Sequence, residues 1–400
     1  MANYSKNVFN MSSNTIPYTY ENSSNPWLMD PKDLSDVIVI DDHKITAEYM
    51  WSLNIEERTK LLYKVYDYYV NRGFPCECLS SKYISNQFKK LCEYDTSKVI
   101  TSDGFVSNSG NLCLDVCRYY CRDKFYKARG DNDSRSIEDV FHDKDMFIKV
   151  LKNRMGWNIS KEDGNDRPYM FAITDKQIIN GIRNSGLGYG VSNFRPTIAK
   201  FIFERYLSDR KNPLIFDYSG GWGARALAAM SLGYRYVATD PYTCNNINTL
   251  ISDISDKCYN GFCYNSGSEN PVLWQSIEDK SVDMCFSCPP YFTLERYSWS
   301  DRQCYNRHTN FVDWIEEYWR STVKNCKRFL KDDGYFGLVI KDFYEKYPLK
   351  DEMNRILEEE GFMLKDSYQY KTSTNHLSGK KKSGKVNKNS EWILIYELRK

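Results

Sequence analysis

Phe216-Asp217-Tyr218-Ser219-Gly220-Gly221-Trp222-Gly223 runs directly into an alanine-rich stretch, Ala224–Met230. An apolar run, Pro213–Tyr218, leads into the glycines, and helix formers follow them. The order reads as strand, tight turn, helix. Glycines in such a turn permit left-handed backbone and let main-chain amides come close to a bound nucleoside. The next apolar run, Tyr236–Thr239, ends on Asp240-Pro241, 23 residues after Asp217. An acid about 20 residues beyond the first turn is where a pair of ribose hydroxyls is held in nucleotide-binding βαβ units. The glycines depart from the G-x-G-x-x-G pattern, with Ala226 in the last place. The competing reading is a structural βα turn with Asp240 as a surface cap.

Outward from this stretch, short apolar runs alternate with helical patterns. The further runs are Gly261–Tyr264, Val282–Phe286, Tyr335–Ile340, Phe362–Leu364 and Trp392–Tyr396. Between them, Phe311–Leu330 carries Phe311, Trp314, Ile315, Tyr318 and Cys326 on one stripe. Asp351–Glu360 turns Met353, Ile356 and Leu357 inward and stops at Gly361. Strand–helix alternation of this kind predicts an α/β fold with a mainly parallel sheet. Only the polar stretch Lys371–Ser390 separates the last two runs, which predicts an antiparallel hairpin at the end of the sheet.

Ser287-Cys288-Pro289-Pro290-Tyr291-Phe292 follows the fourth run. Two consecutive prolines cannot continue a strand ladder, so they make a rigid turn at the carboxyl edge of the sheet, where α/β enzymes bind ligands. Such a turn presents the Pro289 carbonyl and the Tyr291 ring to one cavity. A carbonyl and a ring suit a planar base with an exocyclic amine. A rigid loop holding an ordinary buried tyrosine is the alternative. Cys285 and Cys288 also spell C-x-x-C, but the first lies inside a strand, which argues against a redox pair.

The glycine turn and the proline turn together resemble the S-adenosylmethionine-dependent amino-methyltransferases that act on adenine N6 or cytosine N4 in DNA. The family's signature is Asp, Asn or Ser, then Pro-Pro, then Tyr, Phe or Trp; here it is Cys288-Pro289-Pro290-Tyr291. Gly190-Val191-Ser192-Asn193-Phe194-Arg195-Pro196 and its helix Thr197–Tyr206 resemble the family's other cofactor-binding stretch. The run Cys288–Tyr297 looks like phage and viral members, and the resemblance spans about Asp175 to Lys400.

The resemblance implies a seven-stranded Rossmann-like methyltransferase sheet over residues 166–400; the helical patterns ahead of the polar linker Ser160–Arg167 read as a mainly helical N-terminal domain over 1–165. It implies catalytic roles for Cys288, Pro289, Pro290 and Tyr291. S-adenosylmethionine is expected against Asn193, Phe194, Asp217, Ser219, Gly220, Gly221, Gly223, Asp240, Pro241 and Glu269, although a surface loop is an equal reading of Gly267-Ser268-Glu269. Phe292, Arg296 and Tyr297 are expected to meet the substrate, with Glu295 beside them. Arg302, Arg307 and His308 lie in a polar loop, where the arginines read as phosphate contacts. Lys371–Ser390 holds six lysines and no acid, and Lys380, Lys381 and Lys382 are expected to track DNA phosphates. One departure matters: Cys288 stands where the family carries a hydrogen-bond acceptor for the target amine, and a thiol accepts weakly. An RNA or protein-glutamine methyltransferase, or a non-catalytic binding homologue, are the alternatives.

The N-terminal part is less telling. The first 30 or so residues are rich in Asn, Ser and Tyr and read as an arm. Asn54 and Glu57 open a helix over Ile55–Val70, with Ile55, Leu62, Val65 and Tyr69 on one face and Gly73 and Pro75 as its stop. Leu112–Phe125 reads as another helix, on which Cys113, Cys117 and Cys121 form a stripe. A buried face of small apolar side chains is preferred there to a three-cysteine metal site. Polar linkers follow at Ala128–Ser136 and Ser160–Arg167.

Composition sets the outer bounds. With 27% charged and 41% hydrophobic residues in a chain of 400, a mostly disordered protein is excluded. The 55 basic and 53 acidic residues leave a net charge of +2, which argues against a polyanion-coating protein. No apolar run reaches the roughly 18–20 residues of a membrane span. The opening residues lack the apolar core of a secretion signal. Thirteen scattered cysteines read as reduced thiols, so a cytoplasmic location is expected, the host cytoplasm if the chain is viral. Four histidines without ligand spacing give no expectation of a metal.

Overall fold

Leu214-Ile215-Phe216-Asp217 is buried at every position, the pattern of a central strand covered on both faces. In the computed structural model it is β1, in the middle of the sheet. The structure describes residues 34–107, 110–130, 134–156, 170–255, 259, 261–341, 347–370 and 391–399. The other strands of this sheet are β2 (Arg235–Thr239), β3 (Gly261–Tyr264), β4 (Val282–Ser287), β5 (Leu330–Lys341), β6 (Phe362–Gln369) and β7 (Glu391–Leu398). Among the described residues they form one seven-stranded sheet of order β3-β2-β1-β4-β5-β7-β6. The first five pair in parallel, and β7 runs antiparallel to both β5 and β6. This is the Rossmann-like sheet expected from the sequence. The hairpin is antiparallel as predicted, but its second strand inserts next to β5 and leaves β6 at the edge.

Side chains alternate between two cores, as the period of two demands. Ile215, Tyr236, Ala238, Met284 and Val339 face one side, where α1 (Pro196–Leu207), α2 (Ala224–Ser231), α3 (Cys244–Ile254) and the N-terminal helices pack. Phe216, Cys285, Phe336, Leu338 and Ile340 face the other, under α4 (Arg320–Phe329) and α5 (Leu349–Glu359). The expected division at 165/166 falls within residues 157–169, outside the described residues. On its two sides, Leu62, Val65 and Tyr69 from the N-terminal helices share one core with Ile198 and Phe203 of α1.

Local signals hold with instructive exceptions. Ile55–Arg72 is a helix opened by the Asn54–Glu57 capping box and closed at Gly73, whose φ is 86°. Leu62, Val65 and Tyr69 are buried on it, but Ile55, in the first turn, is 44% exposed. Leu112–Phe125 divides into Leu114–Tyr120 and Arg122–Phe125 at Cys121, where ψ reaches 15°. Cys113, Cys117 and Cys121 are all fully buried, and burial pushes each thiol well up. The segment Phe311–Leu330 contains a π turn, Trp314–Trp319, ahead of α4, and β5 starts at Leu330 without an intervening loop. Among the described residues no helix is long and apolar enough to cross a membrane, and no three His, Cys, Asp or Glu side chains are grouped to hold a metal.

Asp283 locks the amino end of β4 to its neighbours. Its side chain is 2% exposed; Oδ2 accepts from Leu214 N at 2.8 Å, and Oδ1 from Arg210 at 3.0 Å and Lys331 at 2.7 Å. Burial alone would raise its pKa, but these donors outweigh it and hold the carboxyl below its usual value. Asp283→Ala is expected to cost about 1.5–3 kcal/mol at neutral pH, read from the urea midpoint. A depressed pKa stabilises above the unfolded value and loses its effect as pH falls through the folded one. The gap between wild type and variant therefore closes in acid.

Candidate active site

The strand order reverses between β1 and β4, and a ligand crevice opens at the carboxyl ends of strands at such a point. Asp217 closes the floor there. Its carboxylate, fully buried, accepts from Arg225 Nε at 2.7 Å, Tyr236 Oη at 2.7 Å, Ser287 Oγ at 2.7 Å and Ser219 N at 3.2 Å. Four protein donors fill its acceptor positions. Asp217 therefore shapes the turn from below and does not line the cavity, which corrects the expectation that it touches a cofactor directly.

Above it, Gly221 and Gly223 have φ of 58° and 82°, left-handed backbone that glycine adopts without strain. Asp240 Oδ2 accepts from Gly221 N at 2.9 Å, and Oδ1 accepts from Tyr242 N and Thr243 N, each at 2.8 Å. Burial raises the Asp240 pKa, and these three amides oppose the rise. With two donors on Oδ1 and one on Oδ2, a single lone pair on Oδ2 is left for a hydroxyl. The sequence reading assigned it a pair.

These residues open into a cavity of about 340 Å³. Asn193, Phe194, Ser219, Gly221, Asp240, Pro241 and Glu269 line it, and Gly220 and Gly223 lie behind the wall. Three polar groups on this wall are buried without a hydrogen-bond partner among the described residues: Asn193 Oδ1 and Nδ2, Thr239 Oγ1 and Glu269 Oε2. Unmatched buried groups are costly and call for a polar ligand. One free carboxylate lone pair and these groups suit an adenosyl moiety.

Cys288, Pro289, Pro290 and Tyr291 form the far wall. Cys288 Sγ lies 3.1 Å from Tyr291 Oη, and burial pushes the thiol up to about 12, so it stays protonated at neutral pH. The single Tyr291 hydroxyl proton has two acceptors in reach, Val339 O at 3.3 Å and Glu391 Oε1 at 3.5 Å. Beyond the proline turn the cavity becomes ionic, lined by Arg195, Glu295, Lys341 and Glu391. Tyr189 and Tyr297 donate to Glu295. Burial raises the pKa of both glutamates.

The other expected substrate residues divide. Tyr297 lines the cavity. Phe292 is 2% exposed and packs on Phe311, Trp314 and Tyr347, so it is a core residue and not a substrate contact. Arg296 faces a neighbouring cavity, where it lies 4.3 Å from the Trp299 ring centre. Arg302 bonds to the Pro241 carbonyl and Arg307 pairs with Glu269, so both exposed arginines engage the site's own loops. Lys380, Lys381 and Lys382 lie outside the described residues. Sequence reasoning missed Arg225, Lys341 and Glu391. A glutamate opening an apolar strand, directly opposite Lys341 in the sheet, was the available signal for the last.

The sheet has the Rossmann-like methyltransferase order, and this crevice lies at its switch point. Residues 282–400, which include the proline turn and the hairpin, match the N6_N4_Mtase family model, described as DNA methylase. The methyl donor of that family is S-adenosylmethionine. A search of curated proteins finds no match. Among solved structures, the chain is similar to the 1,6-didemethyltoxoflavin-N1-methyltransferase of Burkholderia thailandensis, with 10% identity and TM-score 0.35, covering 51% of this chain and 78% of that one. It is also similar to a TehB-like SAM-dependent methyltransferase of Corynebacterium glutamicum, with 12% identity and TM-score 0.33, covering 52% and 90%. A SAM-dependent O-methyltransferase of Thermotoga maritima shows 14% identity and TM-score 0.33, covering 52% and 68%.

The Asp217–Arg225 pair has side chains 0% and 4% exposed. Asp217→Asn keeps the shape but leaves the guanidinium without its counter-charge. A stability loss of about 3–5 kcal/mol is expected by chemical denaturation.

Proposed function

We propose that this protein transfers the methyl group of S-adenosylmethionine to the exocyclic amine of adenine or cytosine in DNA. The observation that carries the reading is that the glycine turn with Asp240 and the proline turn Cys288–Tyr291 open into the same cavity. The DNA methylase match over residues 282–400 supports the substrate class.

The cofactor's sulfonium supplies an activated methyl group, so the chain needs no covalent nucleophile. Asp240 Oδ2 receives a ribose hydroxyl, and Asn193 and Glu269 meet polar atoms of the adenosyl group. The target amine is a poor nucleophile because its lone pair is delocalised into the ring. The Pro289 carbonyl accepts a hydrogen bond from that amine and helps to localise the pair, and alignment inside the cavity supplies much of the rate. A base in duplex DNA reaches the cavity only after flipping, with the Tyr291 ring as its stacking surface. Lys380, Lys381 and Lys382 of the basic stretch Lys371–Ser390 follow the phosphates.

Incubation with labelled S-adenosylmethionine and mixed-sequence DNA, followed by digestion and mass analysis, is expected to yield N6-methyladenine or N4-methylcytosine. Label appearing only in RNA or in protein glutamine would move the substrate class. Cys288 motivates a second reading, a binding protein without catalysis; cofactor affinity with no acceptor labelled would favour it.

A separate measurement tests the cofactor end. Asp240→Ala removes a hydrogen bond to a charged acceptor, worth roughly 1.5–3 kcal/mol. Affinity for S-adenosylhomocysteine is expected to fall at least tenfold by calorimetry.

A further inference from the structure

Cys288 leaves the target amine short of an acceptor. Its thiol is protonated and engaged with Tyr291 Oη at 3.1 Å. A carboxylate acceptor on that wall comes from elsewhere in the chain. Glu391 is the first residue of β7, which the sheet inserts beside β5, so its carboxylate reaches the cavity next to the proline turn. Oε1 stands 3.5 Å from Tyr291 Oη, the same phenol that touches Cys288. The neighbouring Glu295 carboxylate is already taken by Tyr189 and Tyr297. Among the described residues, Glu391 receives only the one long side-chain hydrogen bond.

We infer that Glu391 is a catalytic residue that accepts the hydrogen bond, and then the proton, of the substrate amine. The inference rests on the methyl-transfer reading above. As the N–C bond forms and the C–S bond of the sulfonium breaks, the sulfonium becomes a neutral thioether and the amine nitrogen takes the positive charge. The nitrogen loses one proton to the Glu391 carboxylate, which returns it to solvent. No oxidant or further reactant is needed. Tyr291, Cys288 and Tyr370, the Lys341 and Arg195 cations and the Glu295 carboxylate surround the group. Burial, the largest influence, raises its pKa, Lys341 and Arg195 lower it, and Glu295 raises it.

The test is methyl transfer to DNA as a function of pH, with cofactor affinity measured beside it. Glu391→Gln is expected to lower kcat about 100-fold at neutral pH while leaving cofactor affinity unchanged. Because the working form is the carboxylate and its pKa is raised, wild-type kcat should fall on the acid side, at a pH above that of an ordinary glutamate. That limb should vanish in Glu391→Gln. Cys288→Asp in the Glu391→Gln background should restore activity by returning an acceptor to the motif. Formate should partly restore Glu391→Ala, which covers the case in which Gln perturbs the fold. An unchanged kcat and acid limb in Glu391→Gln would overturn the assignment. So would a loss that neither Cys288→Asp nor formate repairs. If wild type labels no DNA amine at all, the methyl-transfer reading itself fails, an outcome distinct from both.

Discussion

One buried carboxylate holds the site together. Asp217 sits under the crevice with four donors from four segments: Arg225 on α2, Tyr236 on β2, Ser287 at the end of β4 and the backbone of Ser219 in the glycine turn. A charge taken out of water is tolerated only when paired and hydrogen-bonded. This one is, and the donors that satisfy it are those whose positions define the cavity floor. Arg225 spends its other arm on the Ser219 carbonyl, and Ser287 Oγ lies 3.1 Å from the same oxygen. The turn that faces the adenosyl end is thus tied from below to the strand that leads into the proline turn.

That coupling explains how two motifs far apart in the chain open on one cavity. Parallel pairing of β1 with β4 brings Phe216 beside Cys285, so the residues after Asp217 and after Ser287 emerge side by side. The hairpin completes the enclosure. Pairing of β7 with β5 sets Glu391 against Lys341, and both line the same space. The two ends of the cavity differ in chemistry. Around the glycine turn the wall offers the Asp240 and Glu269 carboxylates and the unmatched Asn193 and Thr239 side chains. Past the prolines it offers two carboxylates, two cations and several phenols, which suits a polar, amine-bearing substrate.

Much of the fold could be read along the chain. β1, α2 and β2 announce themselves because apolar runs, glycines and helix formers follow in order over short distances. The Asn54–Glu57 box and Gly73 bounded their helix because caps are local chemistry. Errors came where distant packing overrides local preference. The helical pattern of Phe311–Leu330 conceals a π turn in which Trp314 and Trp319 are fully buried, and the strand beyond begins earlier than Tyr335 suggests. Phe292 looked like a substrate ring because it follows the proline turn, yet its side chain turns into the core against Phe311 and Trp314.

The sequence by itself determined the α/β alternation, the two turns and the position of Asp240, since strand period, glycine and proline act within a few residues. Tertiary structure alone decided that Asp217 is a buried anchor, that Asp240 has one lone pair to offer, and that Arg302 and Arg307 bind the protein's own loops. It alone brought Glu391 to the proline turn, 100 residues from Tyr291 in the chain. The physical reason is that a hydrogen-bonding group's role depends on which partners reach it first. Those partners come from sheet order and register, which no local pattern encodes.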